Sequence, residues 1–371
     1  MRCRSIIQLV VCGLLLLPPS GCQKNEPIRL GFLGGLSGRV ADLGVAGRNG
    51  VQLAVEQCNA AGGIAGRQVA LAVRDDEQNP ETAKRVAGEL IGQRIELIVG
   101  PMTSSMAMAV MPQINASQTI LLSPTVTTVE LNGQDDNFLR VISDTSNYAS
   151  KSARYLYQKL GSRSVAAIFD NSNRSYSEGW LNDFRSAFEA QGGKIVLTKT
   201  FQSGRDTVFQ PVARELLASQ ADTVLIISGA VDSALICQQI RKLEPHMRIA
   251  MSEWASTERF IELAGTAAEG VVVAQFMDRN DTSPRYRNFL TAYRARFSQD
   301  PGFAGMAGYD AALVALEAFA IRKEGEKLKQ AILGKGSFQG VQQTLVFDTS
   351  GDADRNTFMA VILNGQYVTV N

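Results

Sequence analysis

From Ile28 onward the chain alternates short apolar runs with longer segments of helical periodicity, and this rhythm constrains the fold more than any other feature. Ile28–Leu33 reads as a strand, and Val51, Ala54, Val55 and Cys58 then mark one helix face at i, i+3, i+4 and i+7. That helix stops at Gly62-Gly63. Val69–Val73, Ile95–Val99 and Ile120–Leu122 follow as strands, separated by helices over Pro80–Gln93 and Ser104–Ala116. The pattern restarts with a helix over Tyr148–Leu160. Strands at Val165–Phe169, Ile195–Phe201, Val224–Ile227, Ile249–Met251 and Val271–Phe276 follow, again with helices between them. Residues 285–333 are mainly helical, and Thr344–Phe347, Thr357–Leu363 and Tyr367–Val370 close the chain as strands around an Asn364-Gly365 turn. Parallel strands need crossovers, so the expectation is two open, doubly wound α/β units in series, each a three-layer (αβα) body.

The N-terminus does not belong to that pattern. Arg2 and Arg4 precede an apolar stretch from Ile6 to Leu17, shorter than the roughly 20 residues that span a bilayer. Pro18-Pro19-Ser20-Gly21-Cys22 comes next, so residues 1–21 read as an export signal and 22–27 as a tether. The segment resembles a bacterial lipoprotein signal, which makes Cys22 the expected lipidation site, although Pro19 stands where such signals prefer Leu. Of the five cysteines only Cys58 and Cys237 remain in the folded body. Both fall on apolar helical faces and read as free buried thiols.

Composition excludes several function classes. A formal net charge of +1 with no long basic run gives no nucleic-acid footprint. A single histidine, His246, rules out a His-rich metal site, and neither a metal nor a cofactor is expected. Gly34-Gly35 with Ser37-Gly38 lacks both GxGxxG spacing and a Walker lysine. No GxSxG accompanies Ser104, so no enzyme is expected.

In open α/β sheets, ligands bind beyond the carboxyl ends of the strands. The residues placed there are Ser104, Thr125, Thr127, Tyr176 and Glu253. Singly, Ser104 also reads as a helix cap, Thr125 and Thr127 as turn residues, Tyr176 as a loop residue and Glu253 as a surface acid. Their recurrence on successive strand ends favours a shared ligand. Hydroxyls beside a helix N-terminus suit a carboxylate, and an acid suits an ammonium group, which together describe an amino acid.

The ordered set Gly31–Gly38, Gly50–Glu56, Asn59–Arg67, Gly100–Ser105, Leu122–Thr127, Tyr176–Gly179, Ala268–Val271 and Gly308–Ala311 resembles the periplasmic leucine/isoleucine/valine-binding proteins across the whole mature chain. That resemblance implies a type I periplasmic-binding fold: two lobes, a three-strand hinge and a cleft between them. The boundaries expected from it are 28–143 with 277–347 for the first lobe and 144–276 with 348–371 for the second. It further implies that Ser104 and Thr127 bind a ligand carboxylate and that the Thr125 carbonyl and Glu253 hold the ammonium, while Tyr176 closes over both. It also implies a periplasmic, lipid-anchored monomer that hands its solute to the membrane permease subunits of an ABC importer driven by a separate ATPase. Two departures bear on the pocket wall. Leu43 stands where aliphatic-binding relatives often carry Trp, and Gly229-Ala230-Val231 replaces a tyrosine-bearing loop. Leu43, Met102, Ala230, Trp254 and Phe276 are therefore the expected wall, and the expected ligand is a branched-chain or other apolar or aromatic amino acid, with one larger than leucine left open by the altered pocket shape. A sensor of small amides or carboxylates is the alternative on the same fold.

Overall fold

The structure, a computed structural model, describes residues 26–370; the expected signal segment and Cys22 lie outside that range. The first sheet is built from β1 (Ile28–Gly34), β2 (Val69–Asp75), β3 (Leu97–Val99), β4 (Ile120–Ser123) and β5 (Phe138–Arg140). All its pairings are parallel, in the spatial order β2-β1-β3-β4-β5. The crossovers are α1 (Ala41–Ala60), α2 (Pro80–Gly92) and α3 (Ser104–Asn115). Local chemistry sets their starts. In α2, for example, Asn79 accepts from the N–H groups of Glu81 and Thr82 while Pro80 occupies the first turn.

The second unit repeats the plan with α4 (Thr145–Gln158), β6 (Ser164–Asp170), α5 (Arg174–Glu189), β7 (Lys194–Phe201), α6 (Gln210–Ala218), β8 (Thr223–Ile227), α7 (Ala230–Leu243), β9 (Arg248–Met251), α8 (Glu258–Ala264) and β10 (Val272–Gln275). Its parallel strands run β7-β6-β8-β9-β10, the same order as in the first sheet. Position in the sheet explains the side-chain pattern: β8, with strands on both sides and helices above and below, is buried at every residue. The outermost strand β7 instead alternates exposed and half-buried positions.

The chain then returns to the first unit as α9 (Pro284–Phe297), α10 (Gly302–Ile321) and α11 (Leu328–Lys335). The apolar α10 is a core helix packed on α1, β3 and β4. Glycines set the closeness of the α1–α10 contact, since a Cβ at Gly50 would sit 2.0 Å from the Gly305 carbonyl oxygen. A small sheet of β11 (Ser337–Gln339), β12 (Thr344–Phe347) and β13 (Ala353–Asp354) leads back to β14 (Phe358–Leu363) and β15 (Gln366–Val370), which extend the second sheet antiparallel. The last crossing thus falls after Asp354, later than the 347/348 boundary expected from sequence. The reason is that β13 still pairs with β12, and Arg140 at the end of β5 bridges Asp352.

The three connections are tied together by one side chain. Arg355, on the third connection, donates from Nε to the Val141 carbonyl on the first and lies over the Phe276 ring of the second at 4.7 Å. Its guanidinium pairs with Asp310 of α10 at 2.8 Å, both side chains being fully buried. Ser143 adds to this by donating to Asp354 and accepting from the Arg355 N–H. The free thiols are as expected in kind, with Cys237 buried and Cys58 half-buried.

Candidate functional site

Both sheets change winding direction between their first and third strands in chain order, and these two switch points face one another across the interlobe cleft. In the first lobe the turn after β3 passes close to β1. Gly100 adopts φ +120°, and a Cβ there would lie 1.9 Å from the Leu33 carbonyl oxygen. This tight turn brings the N-terminus of α3 into the cleft. Thr103, not Ser104, is the N-cap residue, so Ser104 is the first helical residue and does not cap. Its Oγ is buried and has no hydrogen-bond partner among the described residues. The positive end of the helix dipole lies beside it, with the Ser105 N–H of the same turn already given to Asn173.

The loop after β4 is organised by Ser123, which donates to the Pro101 carbonyl and accepts from the Val126 N–H at 3.0 Å. Thr125 donates its hydroxyl to the Met102 carbonyl at 2.6 Å, which commits its one donor and leaves the hydroxyl oxygen and the main-chain carbonyl as acceptors. Thr127 is buried with its hydroxyl unpartnered among the described residues, while its carbonyl accepts from the Thr145 N–H.

In the second lobe Tyr176 lies in the first turn of α5, not in a loop. Its ring stands edge-on to Trp254, with centroids 5.5 Å apart, and its buried hydroxyl lies near Glu253 but makes no hydrogen bond of good geometry among the described residues. Glu253 opens a short 3-10 turn after β9 and is 5% exposed. One carboxylate oxygen, Oε2, accepts from the Trp180 Nε1–H at 2.8 Å, and Oε1 is buried without a hydrogen bond of good geometry among the described residues. Burial pushes the Glu253 carboxyl up to about 7, a rise only partly offset by its own backbone N–H, Trp180 and the nearby Tyr176 hydroxyl. The proximity of Glu253 in turn helps hold the Tyr176 phenol well above its ordinary range, burial being the larger cause.

One small cavity of about 20 Å³ gathers these groups. Ser104, Thr125, Thr127, Tyr176 and Glu253 all line it, together with Leu43, Met102 and Trp254 of the expected wall. Ala230 and Phe276 do not. Ala230 is buried at the start of α7 beside Gly229, which itself faces Trp254, and the Phe276 ring packs edge-on behind Phe303. Phe303, Ile142, Asn173 and Thr103 complete the lining and were not anticipated. Met102, Trp254 and Phe303 line the cavity beside Leu43 and belong to the same buried cluster.

Contacts around the rim join the lobes. Arg39 pairs with Asp232, Thr257 donates to Asp42 at 2.6 Å, and the Ser105 N–H donates to Asn173 at 3.0 Å. Desolvation raises the pKa of the half-buried Asp42, making it a weaker acid than usual, against the pull of that Thr257 hydrogen bond. His246 is exposed on the segment after α7 and lines a different surface hollow, so Ser104 has no imidazole beside it. Among the described residues no cluster of His, Cys, Asp and Glu is arranged to hold a metal ion.

With this geometry in place, comparison with known proteins is informative. A family profile described as periplasmic binding protein matches residues 27–366. The leucine-, isoleucine-, valine-, threonine- and alanine-binding protein of Pseudomonas aeruginosa is 24% identical over 333 residues, covering 88% of this chain and 87% of that protein. The crystal structure of the branched-chain amino acid transporter substrate-binding protein LivJ from Streptococcus pneumoniae, in complex with isoleucine, superposes with a TM-score of 0.86 at 26% identity. The match covers 93% of this chain and 99% of LivJ. A solute-binding protein from R. palustris in complex with benzoate has the same fold at 18% identity, with a TM-score of 0.84 over 93% of this chain and 96% of its own.

Proposed function

Because the chain belongs to the periplasmic binding protein family, we propose that it is the exported solute-binding component of an ABC importer and holds an aliphatic amino acid between its lobes. The observation that carries this reading is the division of labour within one cavity. One lobe contributes unpartnered hydroxyls at a helix N-terminus, and the other contributes an acid with an uncommitted oxygen. Ser104 and Thr127 suit the ligand carboxylate, and Glu253 with the Thr125 carbonyl suits the ammonium. Tyr176 covers both, while Leu43, Met102, Ile142, Trp254 and Phe303 face the side chain. Neither lobe alone completes the set, so ligand contacts favour the closed state by whatever free energy they add there. The relatives named for Leu, Ile and Val support an aliphatic ligand.

The wider reading follows the same logic. The protein is a monomer anchored by lipid at Cys22, delivers its solute to permease subunits, and performs no covalent chemistry. A carboxylate without an ammonium, like the benzoate held by one structural neighbour, would instead meet Glu253 in the neutral form that burial favours, so small carboxylates and amides are the alternative ligands that the screen must include. A thermal-shift and calorimetric screen over amino acids, small amides and carboxylates tests the proposal, since a ligand that binds only the native state raises its stability. An aliphatic amino acid binding with 1:1 stoichiometry is expected. Binding of amides or carboxylates with no response to any amino acid overturns it.

A further inference from the structure

We infer that Trp180 is a positioning residue for Glu253, fixing which carboxylate oxygen faces the ligand; this rests on the amino-acid reading above. A glutamate on a short turn has two equivalent oxygens and a rotatable terminal torsion, so nothing in Glu253 itself selects one of them. Trp180 supplies the selection. Its indole N–H, a donor with no accepting capacity, reaches Oε2 at 2.8 Å. The indole is fully buried and stacked on Phe184 at 5.7 Å with only 12° between the ring planes, so the donor is held by packing and not by the hydrogen bond alone.

Its place in the chain matters too. Trp180 follows Tyr176 by four residues on α5, which sets both on one helical face. One helix thus sends Tyr176 to the cavity and Trp180 to the far oxygen of the acid that lines it. Oε1, the oxygen without a hydrogen bond, remains for the ligand ammonium. Because a donor-only group favours the ionised carboxylate, Trp180 also opposes the burial that keeps Glu253 protonated. Residues that merely fill space would do neither.

Trp180→Phe retains the aromatic stack and deletes the N–H. Two probes separate positioning from packing: L-leucine and 4-methylpentanoate, the same carbon chain without the ammonium. At about pH 7 the variant should lose about tenfold in leucine affinity, the size expected of one charge-assisted hydrogen bond acting through Glu253. The midpoint of its pH–affinity curve should move upward, and any 4-methylpentanoate binding should stay within about twofold of the parent. Equal losses for both probes, or an unmoved midpoint, overturn the inference. The parent protein offers a measurement that no folding defect can obscure. Its Trp180 indole ¹H–¹⁵N resonance should titrate through about 7 with Glu253, and a resonance constant across that range overturns the inference as well. Glu253→Gln is the control. If it binds leucine as tightly as the parent, the amino-acid reading itself fails, whereas a weakened Glu253→Gln beside an unaffected Trp180→Phe rejects only the role of Trp180.

Discussion

Glu253 couples the ligand site to pH, and its neutralisation gives a prediction with a worked magnitude. Its carboxyl is displaced from an ordinary 4.5 to about 7, chiefly by burial. At about 1.4 kcal/mol per pH unit, that displacement corresponds to a penalty of about 3 kcal/mol on the ionised native state. For an acid whose native pKa is raised, the stabilising contribution is fully present below the unfolded value and is lost as pH rises through the native one. The ligand-free protein should therefore weaken between about pH 4.5 and pH 8 by about 3 kcal/mol from this group alone. Glu253→Gln, which carries no charge at any pH, should not show that component. Urea unfolding of the ligand-free parent and variant at several pH values across this window measures it, and the difference between the two slopes cancels any pH-independent effect of the substitution. Saturating leucine should flatten the parent profile, because an ammonium beside Oε1 favours the ionised form. Parallel parent and variant profiles in the absence of ligand would refute the reasoning, since the carboxyl would then titrate alike in the folded and unfolded states.

Two further outcomes follow from packing. Arg355→Met strands Asp310 in a fully buried site and should cost about 3–5 kcal/mol, whereas Arg355→Met with Asp310→Leu should recover much of that loss, as read by denaturant midpoints. Gly50→Ala pushes a methyl group against the Gly305 carbonyl, where the free space ends at 2.0 Å, and should destabilise the first lobe by about 1–3 kcal/mol through separation of α1 and α10. Hydrogen exchange on those two helices is the assay.

The residues that sequence alone could place are those whose role follows from backbone position. Ser104 and Glu253 come shortly after strands β3 and β9, and the chemistry of strand ends applies to them whatever surrounds them. The strands themselves are legible where burial on both faces makes an unbroken apolar run, as in β8, and in longer half-buried strands such as β7, but not where only two or three residues pair, as in β5, β11 and β13. β5 is only three residues long and ends in Arg140, a charge that reads against a buried strand until Asp352 is seen to pair with it. The same dependence on distant partners limits the pocket wall. Phe303 lies in α10, which is apolar on nearly every face, so periodicity offers no reason to aim that residue rather than its neighbours at the cavity. Phe276 and Ala230 have the right composition and strand-end position, yet neither lines the cavity, Phe276 packing edge-on against Phe303 and Ala230 being buried at the start of α7. Trp180 is the sharpest case. Within its own helix it is one more apolar residue on the buried face, in register with Phe184 and Phe188. It becomes chemically distinct only through an acid 73 residues away, because a hydrogen bond to a buried carboxylate depends on where two elements meet and not on what either one contains.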